Sequence, residues 1–456
     1  MALNRVLVAN RGEIALRIVR AARALGIETV LAASAADAQS LAAREADRTV
    51  IIGPASAKRS YLNARLVVHA AKATDCDGLH PGYGFLSERA ELAALCEEEG
   101  IAFVGPRAES IERVGGKIAA RELAASVGVP LVQGSGRIGS AEEALRIAEQ
   151  IGYPVVTKAS AGGGGRGMVV VRDAGSLRTA FERASLEAME AFGDGTLFLE
   201  HYVDRARHIE VQAVGDGVGT VVQFAERDCS IQRRYQKMVE EAPAAILPEE
   251  VRLGLHQSAV HLLSSIRYRN AGTVEFLYDV DQQKFFFIEV NARIQVEHPV
   301  SEAICSVDLI QMQLRIAGGE SLPLLQSQVV PRGHAIEVRI IAEDPERDFS
   351  PSPGRITRWR PPQGEGIRLD TAMTEGALVS PHYDSMIGKL IVWGRDRTKA
   401  IERLAAALGQ FSIEGIKTNL PLLRYIVDHP DFKGNRITTR WLEQVLLPAY
   451  RNQTGA

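Results

Sequence analysis

Apolar and polar side chains alternate with a two-residue period through residues 284–298, KFFFIEVNARIQVEH. In an extended chain Phe286, Ile288, Val290, Ala292, Ile294 and Val296 fall on one side, and Glu289, Asn291, Arg293, Gln295 and Glu297 on the other. The pattern predicts a strand with one buried face and a row of polar groups about 6.6 Å apart. Residues 273–278 and 285–290 flank the polar stretch 279–284 as the two arms of a hairpin. Centring that hairpin on Gln282 sets Glu275 opposite Glu289. Facing carboxylates repel one another unless a divalent ion lies between them. Mg²⁺ commonly takes one or two protein carboxylates together with substrate phosphates, so the pairing points to a phosphate-linked metal site.

Elsewhere the pattern alternates between strand and helix. Residues 5–10, 28–33 and 101–104 read as strands, with helices over 13–25 and 88–99 between them. This order predicts a parallel α/β unit ending near Gly105-Pro106, with Arg11 and Tyr83 at the carboxyl ends of its strands, where ligands bind. Helices over 118–127 and 140–151 follow. Strands over 153–158 and 168–172 then enclose a glycine cluster containing Gly164 and Gly165. The cluster lacks the Gly-Lys-Ser/Thr ending of a nucleotide-hydrolase loop and leads into a strand, unlike a dinucleotide-binding turn. It reads as a flap whose bare N–H groups fold over phosphates, with Lys158 beside it. A strand over 196–203, a hairpin over 208–226, the charged run 226–237, helices over 248–268 and 301–317 and a strand over 334–343 come next. The charged run reads equally well as a solvated face, and Arg339 as an edge or surface residue. Helices over 398–408 and 419–429 complete a mixed α/β unit.

Length and charge narrow the class. A chain of 456 residues implies two to four domains. A net charge of −3 offers no basic excess for nucleic acid. No apolar run approaches the ~18 residues of a membrane span, and no signal peptide opens the chain. Cys76, Cys96, Cys229 and Cys305 are scattered, as reduced thiols of a cytoplasmic protein would be.

Lys158 with its glycine flap, residues 200–203 and the Glu275, Glu289, Asn291 group resemble an ATP-grasp fold. More specifically, the chain resembles biotin carboxylase in Ala9-Asn-Arg-Gly-Glu-Ile-Ala, His80-Pro-Gly-Tyr-Gly-Phe-Leu-Ser-Glu, Glu226-Arg-Asp-Cys-Ser-Ile-Gln-Arg-Arg, Arg293-Ile-Gln-Val-Glu-His and Tyr383-Asp-Ser-Met-Ile-Gly-Lys. The resemblance runs in order from about residue 4 to residue 447. It implies an N-terminal Rossmann-like parallel α/β domain (1–115), a central ATP-grasp domain (116–320) with a mobile lid at about 134–203, and a C-terminal mixed α/β domain (321–447). Residues 448–456 would be a tail.

The activity so implied is ATP-dependent carboxylation of biotin by bicarbonate. Lys117, Lys158, Gly164, Gly165, Met168, Glu200, His201, Val203, His208, Gln232, Tyr235 and Ile437 would contact ATP. Glu275, Glu289 and Asn291 would hold Mg²⁺, or Mn²⁺ in its place, and Lys237, Arg293, Gln295 and Val296 would hold bicarbonate. Glu297 would be the general base; Arg339 would stabilise the biotin enolate, and Tyr83 would lie beside biotin. The expected partners are a biotin carboxyl carrier protein, a carboxyltransferase subunit and a second copy of the chain, with acetyl-CoA as the default final acceptor. Tyr235 stands where the family usually has His or Asn, Gly116 where Asp is common, and Glu365 where a Phe lines one known dimer contact. The alternatives are another ATP-grasp ligase and a nucleotide-binding regulatory subunit without turnover.

Overall fold

The computed structural model describes residues 2–160 and 168–454, so Gly164 and Gly165 lie outside the described residues. Strands β1 (Arg5–Val8), β2 (Glu28–Ala33), β3 (Arg48–Ile51), β4 (Gly78–His80) and β5 (Ala102–Phe103) form a parallel sheet in the order β3-β2-β1-β4-β5. The unbroken apolar runs of β1 and β2 are buried, as strands covered by helices on both faces must be. Arg11 and Tyr83 follow β1 and β4 at the carboxyl edge, where the pattern put them. Gly82 has a φ of +63°, and a Cβ there would sit 2.8 Å from the Asn10 amide nitrogen. Only glycine fits that turn.

Strands β6 (Val155–Ala159), β7 (Val169–Val171) and β8 (Leu197–His201) build a small antiparallel sheet in the order β7-β6-β8. Helices Ala141–Ile151 and Ala174–Phe192 pack on it, the first capped by the Ser140 hydroxyl and the second by the Asp173 carboxylate. Ile138, Ala144, Val155, Leu177, Phe181 and Leu199 belong to a core confined to this unit. The unit coincides with the expected lid. The helix Ala174–Phe192 has no counterpart in the pattern described above, because half of its buried stripe is alanine (Ala184 and Ala188 beside Leu177 and Phe181) and gives little apolar contrast.

The largest sheet joins what the sequence divides. Strands β9 (Ala206–Asp216), β10 (Val221–Arg233), β11 (Gln236–Ala242), β12 (Arg269–Asp279), β13 (Lys284–Asn291) and β14 (His334–Ile341) combine with Met386–Gly394 and Ile367–Thr371. Their order is β13-β12-β9-β10-β11-β14, then Met386–Gly394, then Ile367–Thr371. The sheet crosses the expected boundary at residue 320 through the β11–β14 pairing.

Three further expectations are corrected. Arg339 lies on an interior strand, flanked by β11 and Met386–Gly394, rather than on an edge. The helix expected over 301–317 is two, His298–Cys305 and Leu309–Ala317, separated at Ser306 (φ +54°), with Asp308 capping the second. Residues 448–454 are not a loose tail: the helix Leu447–Thr454 buries Leu447 and Tyr450 in the C-terminal core. No described helix is long and apolar enough to cross a membrane.

Because this unit has its own core, damage to it should remain local. Leu177→Ala is expected to cost about 2–5 kcal/mol within that unit. Hydrogen exchange should then quicken in β6–β8 and leave β9–β14 protected, whereas uniform loss of protection would show that the lid has no separate core.

Candidate active site

The acidic row of the large sheet depends on one irregularity in β13. From the turn outward the hairpin pairs Asp279 with Lys284 and Phe276 with Phe287, a register that would next set Glu275 against Ile288. A bulge intervenes, and Glu275 pairs with Glu289 and Thr273 with Asn291. The expected Glu275–Glu289 pairing therefore holds, although the turn is centred differently. Pairing with β9 and β10 extends the row to Arg227–Glu210–Glu275–Glu289. Directly paired residues share a face, so four charged side chains stand abreast.

Beyond Asn291 the expected strand 284–298 ends. Residues 292–297 leave the sheet and turn, and Glu297 occupies the position before the helix His298–Cys305. The turn brings Gln295 and Glu297 back over the acidic row: Gln295 Nε2 donates to Glu275 Oε1 at 2.9 Å. Asn291 Nδ2 donates to the same oxygen, also at 2.9 Å.

These groups are almost wholly buried, so each charge must be matched. Lys237 Nζ donates to Glu210 Oε2 (2.5 Å), Glu297 Oε1 (2.7 Å) and Glu275 Oε1 (2.9 Å). Burial alone would favour the neutral amine, but the three carboxylates overcome it and hold the ammonium form firmly. Arg227 commits all five N–H donors: to Glu210 at 2.5 Å, Gln212 at 2.8 Å, Ser301 and Gln295 at 3.0 Å and Thr273 at 3.2 Å. The Glu297 carboxyl would be pushed up by burial, yet Lys237, Arg339 and Arg227 keep it well below the usual range, as an anion. Its second oxygen accepts from Arg339 Nη2 at 3.0 Å, while Arg339 Nε donates to Glu240 at 2.6 Å. Arg293 donates to the Asn291 side-chain oxygen at 3.1 Å and lies 3.0 Å from Glu88.

A second group faces this one from the lid side. Lys158 on β6 and Arg121 both donate to Glu200 on β8. Lys117 opens the helix Lys117–Ser126, an end where a cation opposes the helix dipole. Burial lowers its pKa, opposed chiefly by Glu289. His208 Nε2 lies 3.0 Å from Glu275 Oε2, and although burial disfavours its charged form, Glu275 raises its pKa overall. His201 ends β8, and Val203 is buried in the short link to β9.

Other sequence-selected residues already have partners. Gln232 donates to the Cys229 carbonyl, and the Ile437 carbonyl accepts from Arg207. Tyr235, at the exposed tip of the β10–β11 hairpin, stands near Tyr202; Met168 adjoins β7. The Val296 carbonyl accepts from Lys389, and Tyr83 donates to Glu13 within reach of the Arg339 charge.

The oxygen donors of Glu275, Glu289 and Asn291 suit a hard cation. Burial, and then the neighbouring Glu275, raises the Glu289 pKa, a repulsion that a divalent ion would relieve. Glu210 and Arg227 were missed by the sequence reading. The former had a signal, the alternation of His208, Glu210 and Gln212 along an apolar strand. The latter lies in the charged run that could have been a solvated face; instead Glu226, Arg227 and Asp228 are buried.

Removing the central guanidinium should leave Glu210 buried with Lys237 as its one remaining close cation among the described residues. Arg227→Met is expected to cost about 3–5 kcal/mol by denaturant titration. Arg227→Lys should recover only a small part, since one ammonium cannot span five acceptors.

Family models cover nearly all of the chain: the biotin carboxylase N-terminal domain over residues 2–111, the carbamoyl-phosphate synthase L chain ATP-binding domain over 116–325, and the biotin carboxylase C-terminal domain over 337–444. The sequence is 50% identical over 439 residues to a biotin carboxylase of Halalkalibacterium halodurans, covering 96% of this chain and 97% of that protein. It is 46% identical over 442 residues to biotin carboxylase 1 of Bacillus subtilis, covering 97% and 98%. The fold matches the biotin carboxylase domain dimer of Hydrogenobacter thermophilus 2-oxoglutarate carboxylase, solved with MgADP, ADP and bicarbonate, at a TM-score of 0.93 and 46% identity, covering 97% and 98%. The three domain matches, near-full-length relatives and shared fold agree: the chain belongs to the biotin carboxylase family.

Proposed function

We propose that this chain uses ATP to carboxylate biotin with bicarbonate, the biotin being borne on a separate carrier protein. The observation that carries this reading is the placement of Glu297 between two cations, Lys237 at 2.7 Å and Arg339 at 3.0 Å. An anionic carboxylate held in this way is available to take a proton. Lys237 and Arg293 on one side offer a point charge and a planar fork to the oxygens of bicarbonate, with Gln295 and Val296 beside them. Arg339 on the other side offers donors to a developing oxyanion.

The sequence of events is the one the family resemblance implies, and these positions are compatible with it. Glu297 removes the bicarbonate proton as a bicarbonate oxygen attacks the γ-phosphorus, and ADP leaves. The resulting carboxyphosphate divides into CO₂ and phosphate. Phosphate takes the ureido N1 proton of biotin, N1 bonds to CO₂, and Arg339 meanwhile stabilises the charge on the ureido oxygen. Tyr83, anchored by Glu13, would flank the biotin ring. Lys117, Lys158, Met168, Glu200, His201, Val203, His208, Gln232, Tyr235 and Ile437 would border the nucleotide, and the family resemblance adds Gly164 and Gly165. Mg²⁺ held by Glu275, Glu289 and Asn291 would offset charge on the transferring phosphoryl group. Carboxyphosphate is labile in water, which gives a closing lid its purpose. A carboxyltransferase, with acetyl-CoA as the default acceptor, would consume the carboxybiotin; the setting would be the cytoplasm.

ATP hydrolysis should require bicarbonate and rise with free biotin. Glu297→Ala is expected to lower turnover by at least about 100-fold with nucleotide binding intact; normal turnover would remove it as the base. Arg339→Ala should lose biotin carboxylation while retaining bicarbonate-dependent hydrolysis, and undiminished carboxylation would exclude its role.

A further inference from the structure

Two buried carboxyl groups beside Arg339 have no task in the reaction above. Glu240 on β11 and Glu337 on β14 are directly paired across the strands, so their side chains share a face. Both are fully buried. Glu240 Oε1 accepts from Arg339 Nε at 2.6 Å, but Glu240 Oε2 and both Glu337 oxygens have no hydrogen-bond partner among the described residues.

The surrounding cations are already engaged. Lys237 serves Glu210, Glu275 and Glu297. Lys389, on Met386–Gly394 and diagonal to Glu337, donates to the Val296 carbonyl at 2.7 Å and lies 3.3 Å from Glu13. Arg339 pairs with both Glu240 and Glu297. Tyr83 approaches from the N-terminal domain with its hydroxyl given to Glu13. On the helix His298–Cys305, which covers this face with Val300 and Ile304, His298 is buried and held neutral. Lys389 is the chief cation acting on Glu337, but it is shared with Glu13 and Asp370, and two facing carboxyl groups in a dry site do not both ionise readily.

We propose that Glu240 and Glu337 are positioning residues for Arg339 that together retain one proton. The Glu240 carboxylate fixes the guanidinium, and Glu337 stays a neutral acid behind it. One carboxylate of this pair, rather than two, then competes with the biotin ureido oxygen for the charge of Arg339. The inference rests on the reading of Arg339 as the cation that faces biotin. Burial supports it, pushing Glu240 up to about 7 against the pull of Arg339 and Glu337 well above the ordinary carboxylate range. At alkaline pH the proton passes to solvent, a second carboxylate forms, and Arg339 stabilises the ureido oxyanion less well.

The test compares the full chain with E337Q and E240Q, measuring bicarbonate-dependent ATP hydrolysis with and without free biotin from about pH 6 to about pH 9.5. The amide of E337Q cannot ionise, so the alkaline decline of its biotin-stimulated rate should move up by about one pH unit or more. Its biotin-independent hydrolysis should keep the parent profile. E240Q should raise KM for biotin about tenfold through loss of the charged anchor, again with biotin-independent hydrolysis retained.

A thermal readout checks the proton itself. A carboxyl whose folded pKa is raised above its unfolded value contributes stability at low pH that is lost as pH rises through the folded pKa. The Tm of E337Q relative to the parent should therefore climb between about pH 6 and about pH 9. Superimposable alkaline limbs, a pH-independent Tm difference, or an E337Q chain that does not fold would each overturn the proposal, since a neutral group of the same shape must be tolerated. A parent enzyme whose hydrolysis ignores biotin would instead overturn the reading of Arg339, and this inference with it.

Discussion

An ammonium enclosed by three carboxylates is the constraint on which the rest of the site depends. Lys237 reaches Glu210, Glu275 and Glu297 from three separate segments: β9, β12 and the turn beyond β13. No two neighbouring carboxylates could occupy so dry a space without it. The same contacts that make the acidic row tolerable fix Glu297 over it. Arg227 does the equivalent work beneath, tying the row to Gln295 in the returning turn and to Ser301 in the following helix. The turn 292–297 has no strand pairing of its own, so these side-chain bonds are what define its path.

The two halves of the proposed chemistry sit on different kinds of support. Residues expected to meet bicarbonate and biotin are held by the large sheet and by buried charge pairs. Lys158 and Glu200, expected to meet the nucleotide, belong to a unit with its own small core. Contact between that unit and the rest is limited, for example Arg121 donating to Glu200 and the His201 backbone N–H to the Gln133 carbonyl. A rigid base and a separately folded cover suit a reaction whose intermediate must be shielded from water and then released.

Much of this was legible in the chain. Strand 28–33 was read residue for residue, and the Glu275–Glu289 opposition was found. The family resemblance rested on motifs that the comparisons bear out. Alternation misled at residues 292–297, where polar and apolar residues still alternate although the backbone has left the sheet. There the side chains obey charge pairing rather than a pleat. Arg227 was invisible as a site residue because a charge run looks the same whether water or other charges compensate it, and nothing in the chain tells that Glu240, just past that run, faces Glu337 on the strand over 334–343. Only the fold shows that carboxylates from distant segments meet these groups.

The bulge in β13 has a consequence for how such a hairpin tolerates change. The pairing near the turn and the pairing near the acidic row differ by one residue, and Ile288 absorbs the difference. Glu289 thus takes its place from the neighbours it meets at the far end of the strand, rather than by counting from the loop. A change in residues 280–283 would thereby leave Glu275 and Glu289 facing each other.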